Sequence, residues 1–313
     1  MTSNGGSPIS AQVAPGSTIA VIGLGIMGSP MAVNLARAGF DVLGYSRSGL
    51  RARPLVEAGG TAARSLEEAV AGADVVLTML PDSPDVEAVL GGPDGLITTV
   101  PARTLIVDCS TIRPDVSAAL AVQAAQRGLD ILDAPVSGGE QGAIDGTLSI
   151  MVGGPAEAFD RARPVLDAVG KTVVRVGPSG SGQTVKAANQ LVVAGTLELI
   201  AEAIVFLEAH GVELGAALEV LGGGLAGSTL LARKGASMAA RKFEPGFRVE
   251  LHDKDLRILV AAASASGAVI PVGGLVAQLM AAVKARGQGS LDHSALLTLV
   301  DELSGREDST PTG

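Results

Sequence analysis

Thr18-Ile-Ala-Val-Ile-Gly-Leu-Gly-Ile-Met-Gly28 sets a short apolar run against three glycines spaced G-x-G-x-x-G. An amphipathic stretch from Met27 to Ala38 follows at once. The run reads as a strand, Thr18–Gly23, and the stretch as a helix. In that setting the first glycine permits the tight turn and the second lets backbone approach a pyrophosphate. The third allows close helix packing, and the helix N-terminus attracts negative charge. Working outward, the same alternation recurs. Asp41–Tyr45, Asp74–Leu80, Thr104–Cys109, Ile131–Asp133, Leu148–Val152 and Thr172–Val176 read as strands, with Ala-rich helical segments such as Pro114–Arg127 between most of them. Alternating strands and helices predict an α/β domain with a parallel, doubly wound sheet over 17–178.

After Gly177 the strand signals stop. Thr184 to Ala209 predicts one long apolar helix of the composition of a buried element, with His210-Gly211 as its stop. Such a helix is about 40 Å long, enough to lead from one domain into another. Ile258 to Val283 is uncharged and long enough to span a bilayer, but Ser264, Ser266, Gly267, Pro271, Gly273 and Gly274 interrupt it. Two buried helices meeting near Pro271 are expected there. Helical patterns continue to Ser304, which predicts an all-α domain over 179–304. Residues 1–16 read as a disordered leader and 305–313 as a disordered tail.

With 313 residues, 47% of them hydrophobic, the chain has material for a large core and two domains. Only 2% are aromatic, so the core is aliphatic and stacking platforms for bases are not expected. A net charge of −9 disfavours nucleic acid and anionic membranes as partners, while local cations can still hold a small anion. One cysteine, Cys109, rules out an intrachain disulfide and fits a reducing, cytoplasmic compartment. The three histidines, His210, His252 and His293, lie at no metal-ligand spacing, so no metal is expected.

Several residues carry chemistry. Lys186 sits at the start of the long apolar helix, where an ammonium loses hydration worth several kcal/mol unless compensated. Asn189, three residues on, shares its face of the helix. The plain alternative is a lysine snorkelling at a helix start. Asp133-Ala-Pro-Val-Ser-Gly-Gly139 follows a strand end, where successive backbone N–H groups and the Ser137 hydroxyl suit a carboxylate. The second strand ends Tyr45-Ser-Arg-Ser48, without the acid that would bind the ribose hydroxyls of NAD. Arg47 can pair with a 2′-phosphate, and Ser46 and Ser48 can donate to it, so NADP is favoured over NAD. Lys254 either reaches a ligand or pairs with Asp253 or Asp255. Arg248 and Arg257 read as surface charges and His252 as structural.

Together these segments resemble the β-hydroxyacid dehydrogenase, or 3-hydroxyisobutyrate dehydrogenase-like, family from Thr18 to Leu303. The resemblance rests on Gly-Leu-Gly-Ile-Met-Gly-Ser-Pro-Met at 23–31, Asp-Ala-Pro-Val-Ser-Gly-Gly at 133–139, Gly-Thr-Leu-Ser-Ile-Met-Val-Gly-Gly at 146–154 and Gly-Ser-Gly-Gln-Thr-Val-Lys-Ala-Ala-Asn-Gln at 180–190. Gly-Gly-Leu-Ala-Gly-Ser-Thr at 223–229, Pro-Gly-Phe-Arg at 245–248, Leu-His-Asp-Lys-Asp-Leu at 251–256 and Asp-His-Ser-Ala at 292–295 resemble the branch that reduces 2-hydroxy-3-oxo acids. The resemblance implies a Rossmann-type domain followed by a helical substrate domain that also makes a homodimer or homotetramer. It implies Lys186 as the catalytic residue and Asn189, Ser137, Gly138 and Gly139 as substrate-binding. Gly23, Leu24, Gly25, Ile26, Met27, Gly28, Ser46, Arg47, Ser48, Leu80, Pro81, Thr111 and Lys254 would contact the cofactor.

The reaction expected is reversible reduction of a short 3-oxo acid by NADPH, with Lys186 as general acid. Other short 3-hydroxy acids are the alternative substrates. Imine reduction is disfavoured by Lys186 itself, and a non-catalytic nucleotide-binding scaffold by the Lys186–Asn189 pair and the loop at 137–139.

Overall fold

The computed structural model describes residues 13–47, 49 and 51–306, which fall into two compact units divided between Lys186 and Ala187. In the first unit the elements run β1 (Thr18–Ile22), α1 (Gly28–Arg37), β2 (Asp41–Tyr45), α2 (Arg53–Glu57), β3 (Thr61–Ala62) and α3 (Leu66–Val70). Next come β4 (Val75–Thr78), α4 (Ser83–Leu90), α5 (Leu96–Thr99), β5 (Leu105–Asp108), α6 (Pro114–Ala125) and β6 (Asp130–Asp133). The unit closes with β7 (Val136–Ser137), α7 (Gly139–Ile144), β8 (Leu148–Gly153), α8 (Ala156–Asp167) and β9 (Gly170–Gly177).

The sheet runs β3-β2-β1-β4-β5-β6-β8-β7, with β9 paired to β8. β1 has β2 on one side and β4 on the other, so the winding reverses there and opens a crevice beyond the strand ends. Side chains alternate between two cores. Ile19 and Val21 of β1 enter one, with Leu77, Val107 and Leu132, while Ala20 and Ile22 enter the other with Val76, Ile106 and Ile131. Burial on both faces is why these strands read as continuous apolar runs.

The sheet is not wholly parallel, which corrects one expectation: β8 runs antiparallel to β6 and to β7. Only Gly139–Ile144 is helical between β7 and β8. That turn and a half is too short for a crossover, so the chain comes straight back. The two-residue strands β3 and β7 went unread because a period of two cannot show in two residues.

In the second unit α9 (Ser181–Ala209), which begins in the first, leads to α10 (Leu214–Gly223), α11 (Thr229–Ala239), α12 (Val249–Ser266), α13 (Pro271–Val283) and α14 (Leu296–Leu303). A π turn at Lys284–Gln288 and a 3₁₀ turn at His293–Ala295 complete it. The break between α12 and α13 falls at Gly267, in the left-handed conformation, and Pro271 opens α13. Leu197, Ala201, Ile204 and Val205 of α9 pack with Leu256, Leu259, Val276, Met280 and Leu296.

Helix α9 is not the buried element its composition predicts. By length and hydropathy it could cross a membrane, yet half of its most apolar window is buried in the protein. The other side leaves Val192, Leu199 and Phe206, seven residues apart, at 66, 66 and 63% exposure. Hydropathy alone reports that a helix is apolar all round; it does not report how many neighbours cover it.

Candidate functional site

The glycine turn between β1 and α1 is built by steric exclusion. Gly23 has φ +106°, and a Cβ there would lie 2.3 Å from the Met79 carbonyl oxygen. At Gly28 a Cβ would lie 2.0 Å from the Gly23 oxygen. Gly25 is different: nothing stands within 4 Å of its Cβ position, which leaves backbone open on that side. The first turn of α1 has no side-chain cap, so its N–H groups suit an anion. Leu24 turns its side chain into the core and offers only backbone to a ligand, whereas Ile26 is exposed and Met27 half-buried.

At the end of β2 the Ser46 hydroxyl is buried without a hydrogen-bond partner. The Arg47 side chain is 86% exposed and stands 3.5 Å from Asp85 of α4. Ser48 lies outside the described residues. An orphaned hydroxyl, an exposed guanidinium and an open Gly25 backbone fit a dinucleotide.

Beyond β4, the Leu80 N–H donates to Ser110 Oγ at 2.9 Å, and Pro81 is exposed. Thr111 is half-buried beside Ile112, whose N–H donates to Gln183 Oε1 at 3.1 Å. Gln183 returns its amide to the Ser110 carbonyl at 2.8 Å. Asp108 accepts from Thr78 Oγ1 at 2.7 Å and from the Ser110 N–H at 3.1 Å. Burial pushes the Asp108 carboxyl up to about 6, against those hydrogen bonds.

Lys186 is 6% exposed, and its Nζ donates to the Val136 carbonyl at 2.8 Å. The next residues are Ser137, half-buried, then Gly138 and Gly139 at φ +143° and +68°. Gly138 stands at the α7 N-terminus, where no side chain caps the helix, and a Cβ on Gly139 would meet nothing within 4 Å. Two glycines in left-handed conformations at an uncapped helix mouth are the kind of turn that can hold a carboxylate. An ammonium and a carboxylate cradle thus meet at one strand end.

In the second unit Asn189 Nδ2 donates to Gln190 Oε1 at 2.9 Å, and Gln190 Nε2 donates to Asp255 Oδ2 at 2.6 Å. Lys254 Nζ stands 3.0 Å from Asp255 Oδ1. Asn189 and Lys254 are therefore linked through Gln190, which the sequence reading passed over, and Asp255, one of the two partners it offered for Lys254. Ser228 caps α11 by accepting the Leu231 N–H at 3.0 Å. Arg257 is exposed and pairs with Asp253, and Arg248 is half-exposed beside Glu250. His252 is fully buried against His293, their Nδ1 atoms 3.0 Å apart. Burial, then the neighbouring imidazole, pushes His293 down to about 3, which makes it a structural, neutral group.

Asp133 is a further residue whose role the sequence reading missed. Its carboxylate accepts the Gly180 N–H at 2.8 Å and the Gln183 N–H at 3.0 Å. One signal was available: a lone acid closing an apolar strand.

Residues 18–177 match the family model described as the NAD binding domain of 6-phosphogluconate dehydrogenase. Residues 180–300 match the one described as NAD-binding of NADP-dependent 3-hydroxyisobutyrate dehydrogenase. The chain is 41% identical over 280 residues to the 2-hydroxy-3-oxopropionate reductase of Escherichia coli, covering 90% of this chain and 96% of that protein. It is 39% identical over 295 residues to the NAD-dependent L-serine dehydrogenase of Pseudomonas aeruginosa, covering 92% and 99%. The solved structure of Mycobacterium tuberculosis 3-hydroxyisobutyrate dehydrogenase with L-serine aligns at a TM-score of 0.81 and 36% identity, covering 91% and 99%.

Proposed function

Because the chain belongs to the β-hydroxyacid dehydrogenases of the 3-hydroxyisobutyrate dehydrogenase type, an NAD(P)-dependent oxidoreductase family, we propose that it reduces tartronate semialdehyde (2-hydroxy-3-oxopropanoate) to glycerate, reversibly, with NADPH. The observation that carries this is the buried Lys186 ammonium, 2.8 Å from the Val136 carbonyl and directly before the Ser137–Gly139 cradle.

The nicotinamide, when bound, supplies the hydride. Lys186 donates its proton to the aldehyde oxygen as negative charge develops there. Ser137 and the N–H groups at 138 and 139 hold the carboxylate, and Asn189 helps to orient the substrate so that its carbonyl is held still during the reaction. In the reverse direction a neutral Lys186 accepts the alcohol proton. Gly23 to Gly28 cradle the pyrophosphate, and Leu80, Pro81, Thr111 and Lys254 complete the cofactor contacts. Ser46, Arg47 and Ser48 select the 2′-phosphate, a preference supported by the missing acid at this strand end. The reaction belongs in the cytoplasm, where the buried Cys109 stays reduced. The chain acts as a homodimer or homotetramer, a reading supported by the exposed apolar stripe of α9.

The substrate choice rests on similarity to the Escherichia coli reductase; similarity to the 3-hydroxyisobutyrate and L-serine enzymes supports the alternative of another short 3-hydroxy acid. Tartronate semialdehyde and methylmalonate semialdehyde differ at the second carbon, hydroxyl in one and methyl in the other. A site that hydrogen-bonds the hydroxyl rejects the methyl analogue strongly, because its polar groups are left unpaired. With Ser228 engaged as a helix cap, Ser137 and Asn189 are the partners for that hydroxyl. The kcat/KM for the two aldehydes decides: tartronate semialdehyde is expected to be preferred, and a clear preference for the methyl compound assigns the chain to the hydroxyisobutyrate branch.

A further inference from the structure

The first turn of a helix leaves N–H groups without intrahelical partners, and α9 fills this need from another element. None of the residues in its own first turn is acidic. Its cap comes from Asp133, at the end of β6, whose two oxygens accept the N–H groups of Gly180 and Gln183. Asp133 is 2% exposed, so this carboxylate has given up water for backbone amides. The carboxylate packs closely against two glycines. A Cβ on Gly153 would lie 2.4 Å from Asp133 Oδ1, and one on Gly182 would lie 2.7 Å from Oδ2.

Three residues after Asp133, the Val136 carbonyl accepts the Lys186 ammonium. One short strand end therefore grips α9 twice, at its N-terminus and at Lys186 one turn further on. The same strand end continues directly into Ser137, Gly138 and Gly139. The cradle and the ammonium are thus held in register by the 133–136 segment.

We propose that Asp133 is a positioning residue for the reaction: by clamping the start of α9 it fixes Lys186 relative to the 137–139 cradle. This rests on the reading of Lys186 as the proton donor. The distance between a held carboxylate and a proton donor is set at this junction, and displacement of about 1 Å costs roughly 100-fold in rate. Asn at position 133 keeps the shape but turns an NH₂ toward a backbone N–H, so one of the two clamps opens.

The test is a double-mutant cycle on the full-length protein, Asp133→Asn and Lys186→Ala, singly and together, with turnover and NADPH affinity measured for each. Asp133→Asn is expected to lower kcat about 10- to 100-fold while the NADPH Kd stays within about threefold of the parent. In the Lys186→Ala background it is expected to cost less than about threefold more, because a group acting through Lys186 has nothing left to act on. An equal loss in both backgrounds, or a kcat within about threefold of the parent, overturns the proposal. Turnover surviving in Lys186→Ala alone sinks the proton-donor reading instead, so the two failures are distinct. Should Asp133→Asn not fold, Asp133→Ser, which is smaller and falls short of both amides, enters the same cycle. Failure of both to fold assigns Asp133 to stability alone and overturns the proposal.

Discussion

A lysine ammonium leaves water at a cost of several kcal/mol, and Lys186 sits at 6% exposure with the Val136 carbonyl beside it. Lys186→Ala is expected to lower kcat by about 100- to 10,000-fold, the usual contribution of general acid catalysis, with NADPH affinity close to the parent's. Steady-state turnover and a cofactor titration check both halves, and turnover within about fivefold of the parent removes Lys186 from the mechanism. Lys186→Arg does not restore the rate, because a planar fork replaces a compact point charge and cannot readily deprotonate. Asp108 makes a different prediction. Its folded pKa of about 6 lies above the ordinary 3.8, so between those values the folded protein binds the extra proton. Stability therefore falls as pH rises through that window and the loss persists above it. Asp108 Oδ2 has no hydrogen-bond partner, so an Asn amide can replace it without breaking a bond. Two pH units correspond to roughly 2–3 kcal/mol, so Asp108→Asn is expected to gain about that much on the parent between pH 3.8 and pH 7. Urea denaturation at both ends of the window measures it; a difference that does not change with pH rejects the buried-charge account. Lys186 was legible because a charge in an apolar helix is conspicuous along the chain. Asp108 was not, since its partner Thr78 comes from a strand thirty residues earlier.

At the scale of elements, the β1–turn–α1 unit was the most legible part of the chain. Its glycines answer to contacts between neighbours in sequence and to the Met79 backbone of the adjoining strand end. The end of β2 carries the cofactor prediction. Arg47 is exposed and its partner, Asp85, makes a surface pair that adds little, so the guanidinium can turn to a phosphate at small cost. A charge-assisted hydrogen bond contributes about 1.5–3 kcal/mol, so Arg47→Asp is expected to weaken NADPH binding by tenfold to over a hundredfold and to favour NADH. Dissociation constants for both cofactors decide it; equal binding of the two by the parent rejects the phosphate role. The β6–β7–β8 return was less legible. Its strands were visible as apolar runs, but the direction of β8 depends on how far α7 carries the chain, and periodicity does not measure that.

At the scale of the molecule, α9 poses the question of assembly. Val192, Leu199 and Phe206 repeat every seven residues on one exposed stripe, and an apolar stripe of that spacing suits a second helix. Leu199→Glu with Phe206→Glu is expected to convert an oligomer to a folded monomer. Sedimentation velocity of parent and variant, with circular dichroism as a check on folding, tests this. A parent that sediments as a monomer at micromolar concentration refutes the oligomer reading.

The sequence by itself determined what depends on local pattern. The nucleotide-binding turn, most strand positions, the break between α12 and α13 and the placement of Lys186 and Asn189 on one helix all follow from spacing of 2 or 3.6 residues and from glycine sterics. Tertiary structure decided what depends on segments distant along the chain. The clamp of Asp133 on Gly180 and Gln183, the Asn189–Gln190–Asp255–Lys254 chain and the exposed face of α9 each require two elements to be packed or left apart. A hydrogen bond between residues about fifty positions apart leaves no period in the sequence, and a helix apolar on every side does not reveal which side its neighbours will cover.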